Sequence, residues 1–514
     1  MKKIPDWTYI CGLSFILIGI TFIIQANIGI NMSDEGYLWY GAIQTSIGEI
    51  PLMDFQSYDP GRYYWVAFWF KIFGNTNILT LRLAVLLFLL IGLTCALLSV
   101  RRVTKSWGSL LIIGTILMLW VYPRHKMFDI SISMIAIYMV ILLLEKPKPV
   151  RYILSGIFIG LAAFFGSNHG LYLLISFAIT SLYIFFKIDR ANFMKKIGCI
   201  GIGIFIGYSP RLLMFIFIPG SFKNFIDTII WLFRLGNTNL PLPLPWPWRV
   251  DFTNLPVMDI VSGLIVGCLF LLVLLFPAGW AIRSIIFKKT NLYLVASVSV
   301  GIPYIHVAFS RADLGHLAQG IFPLLLGSCF WALEYLKRSK VKSIVFLTTM
   351  LIVSFLSVGR VQPLNQQIQA PPDNPFVKLD LAGNEISVDA FTANFIRTVQ
   401  DIKNLYLKSG ENLFIAPHTP TLYPLLNLKA PLWDIYLLFP ETEDRQREQI
   451  QELKQNNVSL VILGDIALDG RDDLRFRNTH PILWEYLNIN YEAITVEAMP
   501  TNYTVLRHVD TTTR

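Results

Sequence analysis

Asp34 and Glu35 stand side by side just past an apolar stretch, near residues 10–30, that is long enough to cross a bilayer, since about 20 helical residues span the hydrocarbon core. A carboxylate pair where lipid meets water suits proton transfer on a substrate held at the membrane. The plainer alternative is structural: Ser33 or Asp34 caps the next helix by accepting from its first backbone amides. Asp54, Tyr58, Asp59 and Arg62 follow in the same connection. A second cluster, Arg124, His125, Lys126 and Asp129, is flanked by short apolar runs. Ile130 to Leu144 reaches only roughly 22 Å against a core of about 30 Å. Charges recessed in this way face a cavity and pair, which makes a functional site the default reading; snorkelling to the interface is the alternative. Arg311, Asp313 and His316 share a tight hairpin. A guanidinium and an imidazole at a bilayer surface suit a phosphate clamp, because Arg matches phosphate bidentately; a structural Arg–Asp pair is the alternative. His169, beside Asn168, reads equally as a packing residue at a helix end.

The elements that hold these groups are membrane spans. With 514 residues, 54% of them hydrophobic, only 15% charged, and a mean hydropathy of +0.54, the chain is not a soluble enzyme built on one core. A net charge of +9 raises the question of nucleic acid, but the position of the charges argues otherwise. Lys and Arg gather in short connectors at Lys2 and Lys3, at Arg101, Arg102 and Lys105, at Lys146, Lys148 and Arg151, and at Lys187, Arg190, Lys195 and Lys196. Further clusters are Arg283, Lys288 and Lys289, then Lys337, Arg338, Lys340 and Lys342. They fall in every second loop, as expected when cationic loops stay in the cytoplasm. Eleven spans are expected, near 10–30, 80–100, 108–122, 130–145, 152–166, 170–186, 197–218, 257–280, 291–309, 317–336 and 343–359. The N-terminus is then cytoplasmic and the C-terminal region extracytoplasmic. The first segment reads as a retained anchor rather than a cleaved signal peptide. Cys11, Cys95, Cys199, Cys268 and Cys329 all lie in expected spans; they spell no disulfide framework or zinc motif and read as apolar packing residues.

The expected organisation is a membrane module over 1–359 and an extracytoplasmic α/β domain over 360–514. The first outer loop, 31–79, holds two aromatic amphipathic stretches, Tyr37 to Ile47 and Tyr63 to Phe73, suited to the membrane interface. A second outer loop, 219–256, carries Leu240-Pro241-Leu242-Pro243-Leu244-Pro245-Trp246-Pro247-Trp248-Arg249, where alternating proline forbids helix and favours a stiff strap. The strap reads either as a cover over a lipid-filled groove or as a plain interfacial loop. In the C-terminal domain, strand-like runs at Asn412 to Ala416 and Val458 to Gly464 accompany helical patterns at Thr419 to Asn427 and Glu441 to Gln455. Glu411 to Pro420 sets a strand before a turn and a helix start, an edge where ligands often bind. No glycine-rich phosphate fingerprint is present there.

The run Asp34-Glu35-Gly36-Tyr37, then Gly48-Glu49-Ile50-Pro51-Leu52-Met53-Asp54-Phe55, then Tyr58-Asp59-Pro60-Gly61-Arg62-Tyr63-Tyr64, then Phe73-Gly74 and Leu81-Arg82 resembles the first outer loop of the GT-C superfamily. The kinship it suggests is with bacterial protein-mannosyltransferase and aminoarabinose-transferase-like enzymes of glycosyltransferase family 39 type. The resemblance covers 10–150 and, more loosely, 300–325. It implies a sugar donor on polyprenyl phosphate, Asp34 as the catalytic base, Glu35 as its acidic neighbour, and Arg124 to Asp129 as the charged second outer loop. At Pro60-Gly61-Arg62 the chain departs from the apolar pair common in relatives, so the resemblance assigns Arg62 no role.

The expectation is therefore a polytopic α-helical membrane protein, GT-C-like, acting as an inverting glycosyltransferase in a bacterial inner membrane. Asp34 and Glu35 are the catalytic candidates; Asp54, Tyr58, Arg62, Arg124, His125, Lys126, Asp129, His169, Arg311, Asp313 and His316 are the substrate-binding ones. The partners expected are a polyprenyl-phosphate sugar, membrane lipid, and a glycan, lipid or protein acceptor. No cofactor is expected, and a divalent metal stays open. Two rival classes remain. A transporter or flippase of lipid-linked sugars calls for polar residues through the bilayer midplane and for inverted repeats, and the spans are mostly clean between their ends. A non-catalytic glycan-assembly protein leaves the acidic first loop unexplained.

Overall fold

The computed structural model describes residues 6–235, 240–286, 291–336, 339–381 and 383–509. Lys2, Lys3, Lys288, Lys289, Lys337 and Arg338 lie outside the described residues. The chain opens with α1 (Asp6–Gln25), α2 (Asp34–Ser46), α3 (Pro60–Phe73), α4 (Ile78–Arg101), α5 (Trp107–Leu119), α6 (Met127–Glu145), α7 (Pro149–Phe165) and α8 (Ser167–Lys187). There follow α9 (Phe193–Gly207), α10 (Ser209–Phe217), α11 (Ser221–Leu235), α12 (Val257–Ile286), α13 (Leu292–Ser310), α14 (Leu314–Gly320), α15 (Phe322–Tyr335), α16 (Lys340–Val358) and α17 (Pro363–Ile368). The C-terminal part runs β1 (Phe376–Leu381), β2 (Asn384–Asp389), α18 (Ala390–Tyr406), β3 (Asn412–Ala416), α19 (Leu422–Leu426), α20 (Glu443–Gln455) and β4 (Val458–Gly464). It ends with α21 (Phe476–Thr479), α22 (Pro481–Asn490), β5 (Tyr491–Ile494) and β6 (Tyr503–His508).

Among the described residues seven helices are long and apolar enough to cross a membrane, and the chain is an integral membrane protein. The pairs α9 with α10 and α14 with α15 each bend by more than 50° at a short break, and counting each pair as one span brings the number to nine. The described residues thus do not confirm the expected count of eleven. Two of the expected spans, 108–122 and 152–166, are helices of 13 and 17 residues. At 1.5 Å per residue the first reaches only about 20 Å, short of the hydrocarbon core. The first span also begins and ends earlier than expected, because helix α1 stops at Gln25 and Gly29 adopts a φ of 69°.

Two compact units are present: 1–26 with 82–366, and 27–81 with 367–514. In the first, α6 is central and mostly buried, whereas α1 and α12 expose most of their apolar surface. Helices apolar all round face lipid with what they do not bury. Helices α7 and α9 approach through the same pentapeptide, Gly-Ile-Phe-Ile-Gly, at Gly156–Gly160 and Gly203–Gly207. A Cβ on Gly156 would lie 2.2 Å from the Ile200 carbonyl oxygen, and one on Gly207 would lie 2.1 Å from that of Ile157. This is the small-xxx-small contact that lets membrane helices touch by backbone.

In the second unit β1 and β2 form an antiparallel hairpin, and a mixed four-stranded sheet runs in the order β3, β4, β6, β5. Strand β4 pairs parallel with β3 and antiparallel with β6. Its seven residues are all buried, and the apolar run Leu460 to Leu463 within it is what a central strand covered on both faces requires. Phe414, Val461, Leu463, Leu453, Phe476 and Leu487 fill the core between the sheet and α20–α22. The same unit includes the segment that carries Asp34.

Candidate functional site

Helix α2 starts at Asp34, and its N-terminus is organised by Asn31 rather than by Ser33 or Asp34. The Asn31 side-chain oxygen accepts from the amides of Ser33 at 2.9 Å and Asp34 at 2.8 Å. Glu35 returns the contact, its Oε2 accepting from the Asn31 amide at 3.2 Å. This reciprocal arrangement resembles a capping box, and the sequence signal for it is Asn31 followed by an acid four residues on. It splits the acidic pair. Glu35 is 3% exposed, turned back into its own helix start, whereas Asp34 is only partly buried.

The C-terminal residues grip the same segment. The Ser33 hydroxyl donates to the His418 carbonyl at 2.6 Å, the Thr421 hydroxyl to the Asn31 carbonyl at 3.0 Å, and the Thr421 amide to the Met32 carbonyl at 3.2 Å. Gly36 admits this approach, since a Cβ there would stand 2.5 Å from the Thr421 backbone. Further along, the Ala430 amide donates to the Tyr40 hydroxyl at 3.0 Å, and the Tyr436 amide to the Gln56 side-chain oxygen at 3.0 Å.

Tyr58 sits beside Asp34. Burial, and then the charge of Asp34, hold its hydroxyl protonated well above the usual tyrosine range. The Arg62 guanidinium, 4% exposed, lies over the Tyr58 ring at 5.2 Å, and Tyr37 meets the same ring edge-on at 4.9 Å. The structure thus gathers Asp34, Tyr58 and Arg62. Asp54 has other work: it is exposed, and its Oδ2 accepts from the Ile50 amide at 2.7 Å, closing the turn in which Leu52 takes a φ of 70°.

The remaining candidates belong to the membrane unit. Asp129, in the first turn of α6, is 3% exposed and its Oδ1 lies 2.9 Å from His169 Nε2. The other ring nitrogen, Nδ1, is 2.9 Å from the Tyr304 hydroxyl. Tyr172 packs against both rings and reaches His306 Nδ1 at 2.7 Å. Sequence reasoning missed Tyr304, Tyr172 and His306, because a tyrosine or histidine within an apolar helix carries no spacing signal. Arg124 donates to the Gln25 carbonyl at the end of α1 at 2.8 Å, and His125 beside it is 5% exposed while Lys126 is half-buried.

Asp313 caps α14 and organises the hairpin. Its Oδ1 accepts from the His316 amide and faces His316 Nδ1, both at 2.8 Å, and its Oδ2 accepts from Arg311 Nε at 2.7 Å. Arg311 also donates to the Leu240 carbonyl at 3.1 Å, which ties the proline strap to this corner. The strap is without helix from Leu240 to Trp246 but closes in a single 3-10 turn over Pro247–Arg249, contrary to the expectation that proline forbids helix there, with Trp246 stacked on Trp248; it crosses α12 at Gly267, where a Cβ would meet the Pro245 carbonyl oxygen at 2.5 Å. Gly315 packs against Pro123 and Tyr122 at 3.6–3.8 Å from a built Cβ. The loop carrying Arg124 and the hairpin carrying Arg311 are therefore neighbours. Among the described residues no group of three or more His, Cys, Asp or Glu side chains is placed to hold a metal ion.

No family model matches this chain, and no curated protein matches it. Among solved structures it is similar to ArnT from Cupriavidus metallidurans bound to undecaprenyl phosphate, at 12% identity over 98% of each chain, with a TM-score of 0.49. It is also similar to the Archaeoglobus fulgidus oligosaccharyltransferase tethered with an acceptor peptide, at 12% identity over 98% of this chain and 76% of that one, with a TM-score of 0.45. A third is the archaeal oligosaccharyltransferase AglB from Archaeoglobus fulgidus in complex with an inhibitory peptide and a dolichol-phosphate, at 11% identity over 97% and 76%, with a TM-score of 0.47. None of these likenesses assigns a role to a residue.

Proposed function

We propose that the chain is an inverting glycosyltransferase that moves a sugar from a polyprenyl-phosphate donor to an acceptor hydroxyl outside the cytoplasm, with Asp34 as the base. The N-terminus is then cytoplasmic, the C-terminal domain extracytoplasmic, and the membrane a bacterial inner membrane. The observation that carries this reading is the division of labour in the acidic pair: Glu35 is buried on the Asn31 amide, whereas Asp34 stays partly exposed beside Tyr58. A base must reach the proton that it takes. Glu35 becomes a positioning residue.

In this scheme the acceptor oxygen attacks the anomeric carbon from the side opposite the phosphate. The carbon–oxygen bond to phosphate breaks, the proton passes to the Asp34 carboxylate, and polyprenyl phosphate leaves with the bonding electrons. Outside the cytoplasm there are no nucleotide sugars, so an activated donor must arrive in the lipid. Arg124, Lys126 and Arg311 supply positive charge to the leaving phosphate, which stabilises it electrostatically. Asp313 fixes the plane of the Arg311 guanidinium, and His316 shares that carboxylate.

The test is turnover by purified protein with a panel of polyprenyl-phosphate sugars, guided by mass spectrometry of co-purifying lipids. Asp34→Asn should lower transfer by about 10²–10⁴-fold, the range for a positioned acid or base, with donor binding retained. Unchanged turnover in Asp34→Asn would remove the proposal, and recovery of no polyprenyl species with no turnover of any would favour an assembly role.

A further inference from the structure

Strands β3 and β4 run parallel and end side by side, so the loops that follow them, Pro417–Thr421 and Asp465–Asp469, share one edge of the sheet. In α/β sheets that edge is where ligands are held. Two side-chain atoms there, one from each loop, are buried without a hydrogen-bond partner: His418 Nε2 and Asp465 Oδ1. His418 is 8% exposed. Buried polar groups are almost always paired, so each exception calls for a reason. The Thr419 hydroxyl, buried and facing that of Tyr503, adds a third polar position. The Tyr503 ring covers Gly464 so closely that a Cβ there would touch it at 3.0 Å.

The chemistry of these groups selects their ligand. Burial pushes His418 down to about 4 and His480, beside it, to about 3. Both imidazoles are therefore neutral near pH 7, each with one donor and one acceptor nitrogen. Asp469 places a second carboxylate near His418. Arg475 and Arg477 lie against Asp465 and Asp472, which balance their charge. An anion would meet two carboxylates and no uncompensated cation. A hydroxyl-rich neutral molecule would satisfy acceptor and donor together. Asp465 is 31% exposed, so this edge of the sheet meets solvent.

We propose that this crevice, lined by His418, Thr419, Asp465 and Tyr503, binds carbohydrate hydroxyls of the acceptor, and that the loop Pro417–Thr421 links its occupancy to the placement of Asp34. The link is covalent continuity: the residue that offers its imidazole to the crevice offers its carbonyl to Ser33, and Thr421, three positions on, holds Asn31 and Met32. The word acceptor rests on the transferase reading; the binding of sugar does not.

Full-length protein in an amine-oxide detergent, which brings no sugar of its own, is mixed with methyl α-D-mannoside, methyl β-D-glucoside or N-acetylglucosamine at millimolar concentration, and saturation transfer to the sugar is read by NMR. At least one sugar should show transfer, reduced fivefold or more in His418→Gln and in Asp465→Asn, unchanged in Asp34→Asn, and not displaced by inorganic phosphate. Asp465→Asn, isosteric and partly exposed, keeps the test valid if His418→Gln does not fold. Absence of transfer from all three sugars, or equal transfer in Asp465→Asn, would overturn the crevice and leave ordered water as its occupant. Intact transferase turnover without sugar binding overturns this inference alone; sugar binding without turnover of any lipid donor supports the crevice while removing the transferase reading.

Discussion

The Ser33 hydroxyl donates to the carbonyl of His418 at 2.6 Å across 385 positions of sequence. The N-terminal turn that presents Asp34 is therefore set by the C-terminal residues as much as by its own helix. Thr421 adds two further hydrogen bonds to Asn31 and Met32. Each such bond contributes about 1 kcal/mol net, and three on consecutive residues make the position of Asp34 a tertiary property.

Gly36→Ala tests that dependence. The new Cβ would stand 1.8 Å from the Thr421 hydroxyl oxygen, which can rotate away, and 2.5 Å from the Thr421 Cα and N, which cannot. Overpacking of this kind costs about 1–3 kcal/mol. If it is relieved by lifting the loop from the helix, kcat should fall at least tenfold, about 1.4 kcal/mol in the barrier, with donor affinity unchanged. Single-turnover rates and a donor titration separate the two; full activity in Gly36→Ala would show that Thr421 does not position the base.

Much of the second unit was legible because β3 and β4 each carry an apolar run of four residues, Leu413 to Ala416 and Leu460 to Leu463, followed by loops with polar residues. The hairpin of β1 and β2 was not: Phe376-Val377-Lys378-Leu379-Asp380-Leu381 alternates, but Asn384 to Asp389 is polar enough to pass for loop. In the membrane unit the apolar runs were visible and their ends were less so, since hydropathy does not mark a 51° break between Gly207 and Ser209. At the candidate site the acids stood out by type. Their partners did not, because Asn31, Thr421 and Tyr304 are ordinary residues until the fold brings them near.

The neutral histidines make the C-terminal domain acid-sensitive. A histidine whose folded pKa lies below its unfolded value of about 6.5 contributes stability that is complete above that value and is lost as pH falls toward the folded pKa. For His418 the window runs from 6.5 down to about 4, and the full effect is on the order of 3 kcal/mol. Thermal unfolding followed by near-UV circular dichroism should show a midpoint that drops between pH 7 and pH 5. The drop should shrink in His418→Gln; an equal drop in both proteins would place the sensitivity elsewhere.

The strap is pinned at two places that separate structure from donor binding. Arg311→Ala removes the bond to Leu240 and the pair with Asp313, whereas Gly267→Ala pushes against the Pro245 carbonyl oxygen at 2.5 Å and leaves Arg311 intact. Both should speed proteolysis within 240–249. Only Arg311→Ala should also weaken donor binding, by about 2 kcal/mol for a charge-assisted hydrogen bond, and Arg311→Lys should restore part of it because a point charge replaces a fork. Equal donor affinity in wild type and Arg311→Ala would move the phosphate to Arg124 and Lys126.

Asp129, His169 and Tyr304 form a buried series in which each group orients the next. Nε2 faces the carboxylate and Nδ1 the phenol, so the two ring nitrogens are held apart by different partners and the carboxylate favours an N–H on Nε2. Removing Asp129 leaves the His169 donor buried and unsatisfied, a loss of about 1–3 kcal/mol, whereas Tyr304→Phe removes a single hydrogen bond at about 1 kcal/mol. The expected order of thermal stability is wild type, Tyr304→Phe, then Asp129→Ala. The double variant Asp129→Ala with His169→Ala should be less destabilised than the sum of the two single changes, because the second removes a partner already orphaned. Additive losses in that cycle would mean that Asp129 and His169 act independently. A catalytic role would instead appear as a fall in kcat in Tyr304→Phe far larger than its loss of stability.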